Sequence, residues 1–112
     1  MKAKLSKERI LEILGRELPY LRDRLGVVSI ALYGSFAHGS ATEKSDVDLL
    51  VGLARPLGLE FVALAEYLEK QLDCRVDLTT FETLNRSLDH PRYGRIARNI
   101  QRTLTDVHAT AR

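Results

Sequence analysis

Two short runs of apolar, largely β-branched residues constrain this chain more than any other feature: Val27-Val28-Ser29-Ile30-Ala31-Leu32-Tyr33 and Asp46-Val47-Asp48-Leu49-Leu50-Val51. Each is too short for an ordinary helix, and the first is bounded by Gly26 and Gly34, as a strand covered on both faces would be. A third run, Cys74-Arg75-Val76-Asp77-Leu78-Thr79, alternates in the same way and carries an acid inside it. In that setting the single Cys74 is expected to be a buried strand residue.

Helical spacing fills the intervals. From Ser6, a plausible N-cap, Ile10, Ile13, Leu14, Leu18, Leu21 and Leu25 recur on one face, with Gly26 as a stop. Pro19 lies inside this pattern and should kink or divide the helix, because it removes a backbone donor and crowds the preceding turn. Arg55-Pro56-Leu57-Gly58 breaks the chain before a second stripe of Phe61, Leu64, Ala65, Leu68 and Leu72. After a polar stretch through Pro91, a last helix is predicted from Tyr93, Ile96, Ala97, Ile100, Leu104 and Val107. Its opposite face carries Arg92, Arg95, Arg98 and Arg102, and the tail beyond it is expected to fray. The order helix, strand, turn, strand, helix, strand, helix describes an α/β fold, without repeat or linker, over a single domain of residues 1–112.

Composition excludes several classes. With 45% hydrophobic and 29% charged residues the chain is expected to be globular. A net charge of +2 is too close to neutral to signal nucleic-acid binding, so direct binding of nucleic acid is not expected. One cysteine cannot form an internal disulfide, which suits a reducing cytoplasm. No apolar stretch approaches the ~20 residues that span a bilayer, and the Lys-rich start lacks a signal-peptide core. The expected location is cytoplasmic, away from membranes. A chain this short buries a modest share of its surface, so a partner covering apolar surface is a further expectation.

Three features carry chemistry. At Tyr33-Gly34-Ser35 a strand runs into a Gly-Ser turn and a short, helix-like segment ending near Gly39. Glycine admits a phosphate close to the backbone, freed N–H groups can donate to it, and the Ser35 hydroxyl adds a donor. Asp46 and Asp48, two residues apart on a strand, send both carboxylates from one face, where their repulsion is relieved by a hard cation such as Mg²⁺. Asp77 supplies a third carboxylate. Each has an ordinary reading too: a plain turn, a solvated strand end, a salt bridge from Asp77 to Arg75. Together they are more telling, since the ten residues between Ser35 and Asp46 suffice for a short helix and a loop returning to the adjacent strand. A phosphate grip then faces a metal site. His38, near the turn, fits either a phosphate donor or a solvated side chain, and Tyr33 fits core packing better than base stacking.

The segment Leu32-Tyr33-Gly34-Ser35-Phe36-Ala37-His38-Gly39, followed by Asp46-Val47-Asp48 and Arg75-Val76-Asp77-Leu78, resembles the minimal nucleotidyltransferases of the DNA polymerase β superfamily. The likeness covers residues 27–79. It implies a mixed β-sheet of three or more strands flanked by helices, Gly34 and Ser35 on the triphosphate of ATP, and Asp46, Asp48 and Asp77 as catalytic carboxylates holding two Mg²⁺ ions. Asp77 would also help deprotonate the acceptor hydroxyl. Small members of this family commonly act as antitoxins of helical HEPN-domain toxins, by binding the toxin, by transferring AMP to a tyrosine on it, or by both. Many relatives carry arginines in the turn, where this chain has Phe36 and His38.

The leading expectation is therefore an ATP- and Mg²⁺-dependent adenylyltransferase acting on a partner HEPN toxin. An antitoxin that works by masking its partner is the alternative. Transfer to a small metabolite or antibiotic is disfavoured, because few residues after Thr79 remain to build an acceptor domain.

Overall fold

The computed structural model describes residues 5–110; the Lys-rich start, residues 1–4, and the last two residues lie outside the described part. Helix α1 (Lys7–Leu25) begins where the Ser6 hydroxyl accepts the backbone N–H of Arg9 at 3.1 Å. It ends at Gly26, whose left-handed backbone (φ 71°) lets its N–H turn back to the carbonyls of Leu21 and Arg22. Both signals were legible.

Pro19 does not divide the helix, which runs as one element from Lys7 to Leu25. A proline at this position leaves the carbonyl four residues earlier, that of Gly15, without its helical donor. The N–H of Thr110 supplies one at 2.9 Å. A Cβ on Gly15 would stand 2.6 Å from the carbonyl oxygen of His108, so this glycine makes room for the C-terminal segment crossing the helix.

The sheet comprises β1 (Val27–Tyr33), β2 (Val47–Leu53), β3 (Val76–Thr80) and β4 (Thr105–Asp106), in the order β3-β2-β1-β4. β1 runs antiparallel to β2 and β4, whereas β2 and β3 are parallel. The mixed sheet expected from the resemblance is thus present. Its two longest strands are central, as their apolar character requires.

Helices cover both faces. Between β1 and β2 lies the short α2 (Ser35–His38), and α3 (Glu60–Leu72) makes the parallel crossover to β3. On one face α1 and α3 enclose Ile10, Leu14, Leu21, Ile30, Leu32, Leu49, Leu64 and Leu68, all with essentially no exposure. Burying each such side chain contributes about 1.5–3 kcal/mol, which makes this cluster the main source of stability. The opposite face carries a smaller cluster of Ala31, Leu50, Leu84 and Ala97 under α4 (Phe81–Ser87) and α5 (Gly94–Arg102).

Four expectations need correction. The last helix stops at Arg102, and Leu104 and Val107 lie beyond it: the chain turns into β4, and the Val107 N–H bonds the carbonyl of Ile30 at 2.9 Å. The tail is therefore docked through Thr110, with Val107 buried. Cys74 lies in the bend before β3, partly buried, its thiol 3.6 Å from the carbonyl of Ser45. The polar stretch before Pro91 contains α4, capped by the Thr80 hydroxyl on the N–H of Thr83.

Candidate active site

Pairing register decides how the chemistry-bearing residues meet. Asp48 of β2 stands opposite Tyr33 of β1 on one side and opposite Asp77 of β3 on the other. Paired residues of neighbouring strands project from the same face. Tyr33, Asp48 and Asp77 therefore form one row across the sheet, on the face shared with Ala31 and Leu50 and covered further along by α4 and α5. Asp46 lies one residue ahead of β2 rather than within it, close enough for its charge to act on Asp48.

Gly34 follows Tyr33 at the end of β1 and caps α2. Its backbone (φ 77°, ψ −154°) lies in a region that is essentially closed to other residues. A Cβ would overlap Asp48 Oδ2 and come within 3.0 Å of its Cγ, so the carboxylate is packed directly on the bare glycine. The turn and the carboxylate pair are one structure in space. Ser35 follows as the first residue of α2, its carbonyl accepting the N–H of Ser40 at 3.0 Å, and Gly39 closes the helix in a left-handed conformation.

Electrostatics mark Asp48 out. Burial first, then the charges of Asp77 and Asp46, push its carboxyl up from 3.8 to about 6. Burial also raises the Tyr33 hydroxyl, opposed by a hydrogen bond with Thr79 and reinforced by the charges of Asp77 and Asp48. Arg75 does not neutralise Asp77: its ion pair, at 3.9 Å, is with Asp46, and the Arg75 side chain is 87% exposed, so the pair is weak.

Among the described residues no three His, Cys, Asp or Glu side chains close into a cage for a metal ion. Asp48 and Asp77 stand side by side instead, with Asp46 one residue ahead of β2. This arrangement suits Mg²⁺, which keeps several waters and is usually held by one or two carboxylates together with substrate phosphates. The uncompensated charge felt by Asp48 is the repulsion that such a cation would relieve.

Beside the row lies a cleft of about 370 Å³ lined by Tyr33, Gly34, His38, Arg95, Ile96, Asn99, Ile100 and Thr103. Tyr33 is also in the wall of a smaller recess of about 140 Å³, otherwise lined mainly by α4 and α5, including Thr83, Leu84 and Ala97, and by Tyr93 just ahead of α5. Sequence reasoning assigned Arg95 to a solvated stripe and did not single out Asn99 or Thr103. The spacing of Arg95, Asn99 and Thr103, four residues apart each time, was the available signal that they share one side of the chain. His90, by contrast, serves its own turn: Nδ1 accepts the N–H of Arg92 at 3.0 Å. His108 contributes its carbonyl to the packing on Gly15.

A glycine turn packed on a carboxylate thus lies at the end of a mixed sheet flanked by helices. Residues 8–103 match the family described as the nucleotidyltransferase domain, and the chain belongs to that family of enzymes. The protein adenylyltransferase MntA of Thermococcus cleftensis is 45% identical over 83 residues, 73% of this chain and 84% of that protein. A solved minimal nucleotidyltransferase aligns with a TM-score of 0.67 and 28% identity, covering 93% of this chain and 98% of that one. The same fold recurs, with a TM-score of 0.58 and 19% identity over 93% of this chain and 73% of that one, in a tri-AMPylated Shewanella oneidensis HEPN toxin in complex with its MNT antitoxin. No helix among the described residues is long and apolar enough to cross a membrane.

Proposed function

We propose that this nucleotidyltransferase moves AMP from ATP to a hydroxyl, a tyrosine in the first instance, of a HEPN-type toxin and thereby acts as its antitoxin. The observation that carries the reading is the alignment of Asp48 with Asp77 directly beside Gly34. Support for the partner comes from the adenylyltransferase relative and from the AMPylated toxin complex that shares the fold.

In this reading Gly34 and Ser35 hold the triphosphate, while Asp46, Asp48 and Asp77 hold two Mg²⁺ ions. Bound there, the ions screen phosphate charge and increase the acidity of the acceptor hydroxyl. The acceptor oxygen bonds to the α-phosphorus as the α,β-anhydride breaks, pyrophosphate departs, and Asp77, exposed at the edge strand, takes the hydroxyl proton.

The test compares the wild type with the Asp46→Asn/Asp48→Asn double variant, each incubated with ATP, Mg²⁺ and the toxin. Wild type should adenylylate the toxin and the variant should not; equal modification by both would defeat the proposal.

A second reading, neutralisation by masking alone, is favoured by the lack of any Lys or Arg between Gly34 and Glu43. Under it the double variant still protects cells from the toxin. Loss of protection with the complex intact would exclude it.

A further inference from the structure

A turn that grips a triphosphate without a cation of its own, next to three carboxylates, is electrostatically incomplete. From Gly34 to Glu43 there is no Lys or Arg, and His38 is exposed. Phosphate oxygens in that position would lie near Asp46, Asp48 and Asp77 with backbone donors and the Ser35 hydroxyl but no cationic side chain from the turn.

The cleft beside the turn contains the missing charge. Besides Gly34 and His38 its lining includes Arg95 and Asn99 of α5, with Thr103 one residue past the helix end. The other arginines of the stripe are differently disposed: Arg98 donates to the carbonyl of Leu88 at 3.1 Å, and Arg102 donates to Asn99 Oδ1 at 3.0 Å. Arg92 does not line the cleft. Arg95 lines it and takes part in none of the ion pairs found among the described residues. Because Asn99 Oδ1 is occupied by Arg102, its amide N–H groups remain as donors. The cleft, at about 370 Å³, lies within the range of small-molecule sites.

We infer that Arg95, supported by Asn99, binds the terminal phosphates of the nucleotide, so that α5 supplies the cation absent from the glycine turn. The inference rests on the nucleotide-using reading given above and deepens it. Arg95 lines one cleft with Tyr33 and Gly34, and Gly34 packs on Asp48, so in this reading the triphosphate lies between Arg95 and the carboxylates, with its leaving pyrophosphate on the Arg95 side. A planar guanidinium that can grip two phosphate oxygens at once suits this role better than an ammonium.

The experiment measures binding of ATP and of inorganic pyrophosphate, both with Mg²⁺, by calorimetry for wild type, Arg95→Ala, Arg95→Lys and Arg92→Ala. Arg95 is exposed, so its variants should melt like the wild type. Loss of a charge-assisted phosphate contact weakens binding by about tenfold or more. Arg95→Ala should therefore lose about that much affinity for both ligands, Arg95→Lys should recover part of it, and Arg92→Ala should match the wild type. Wild-type binding of ATP with Arg95→Ala unchanged would overturn the role of Arg95 while leaving the nucleotide site standing. Wild type that binds neither ligand would overturn both. Weaker toxin binding by Arg95→Ala at unchanged ATP affinity would mark Arg95 as part of the partner surface and also refute the inference.

Discussion

Replacing Asp48 by Asn should stabilise the metal-free protein at neutral pH. The folded chain raises this carboxyl from 3.8 to about 6, so folding favours the protonated form. For an acid raised in this way the cost of folding is absent below about pH 3.8, grows as pH rises to about 6, and is complete above it. Each tenfold change in proton affinity corresponds to about 1.4 kcal/mol, which sets a ceiling of about 3 kcal/mol. Asp48 is only partly buried, and solvent screening reduces this to about 1 kcal/mol. Asn keeps the shape and removes the charge. Thermal melts of both proteins in EDTA at about pH 7.5 should place the variant roughly 4–8 °C higher. Near pH 3 the gap should all but close, because the wild-type carboxyl is then mainly protonated in both states. A gap of the same size at both pH values, or a variant less stable near neutrality, would refute the claim that Asp48 is held against the repulsion of Asp77 and Asp46.

Three further outcomes follow from local geometry. Gly34→Ala places a methyl group on the Asp48 carboxylate in a backbone region nearly restricted to glycine; we expect a loss of about 1–3 kcal/mol in denaturant melts and abolished nucleotidyl transfer. Gly15→Ala should push the carbonyl of His108 off α1, costing about 1–3 kcal/mol and exposing the Thr110 amide to fast hydrogen exchange; an unchanged exchange rate would contradict the docking of the tail. Ser6→Ala removes the acceptor of the Arg9 N–H and should cost about 1 kcal/mol in urea unfolding, without affecting ATP binding.

What could be read before folding was whatever depends on neighbours in sequence. The caps at Ser6 and Gly26 and the central strands were local patterns, whereas Asp46, expected on the strand with Asp48, lies one residue ahead of it. Register was not: nothing in the sequence says that Asp77 lies parallel to Asp48 and level with it, yet this pairing builds the row. The last helix was drawn too long because Leu104 and Val107 continue its apolar spacing, although Thr103 and Thr105 are β-branched and the chain there pairs with β1. Pro19 misled for a related reason, since the donor that satisfies Gly15 comes from Thr110, 95 positions later. Arg95 was hidden among four arginines of similar spacing, and only the cleft separates it from the others.

The central claim, that the row beside Gly34 serves transfer of a nucleotidyl group rather than of a phosphate, is tested most directly by the fate of label. In parallel reactions with the toxin and Mg²⁺, ATP labelled at the α-phosphate should mark the toxin, and ATP labelled at the γ-phosphate should release its label as pyrophosphate. Toxin marked by the γ-label, or by neither, would contradict the account.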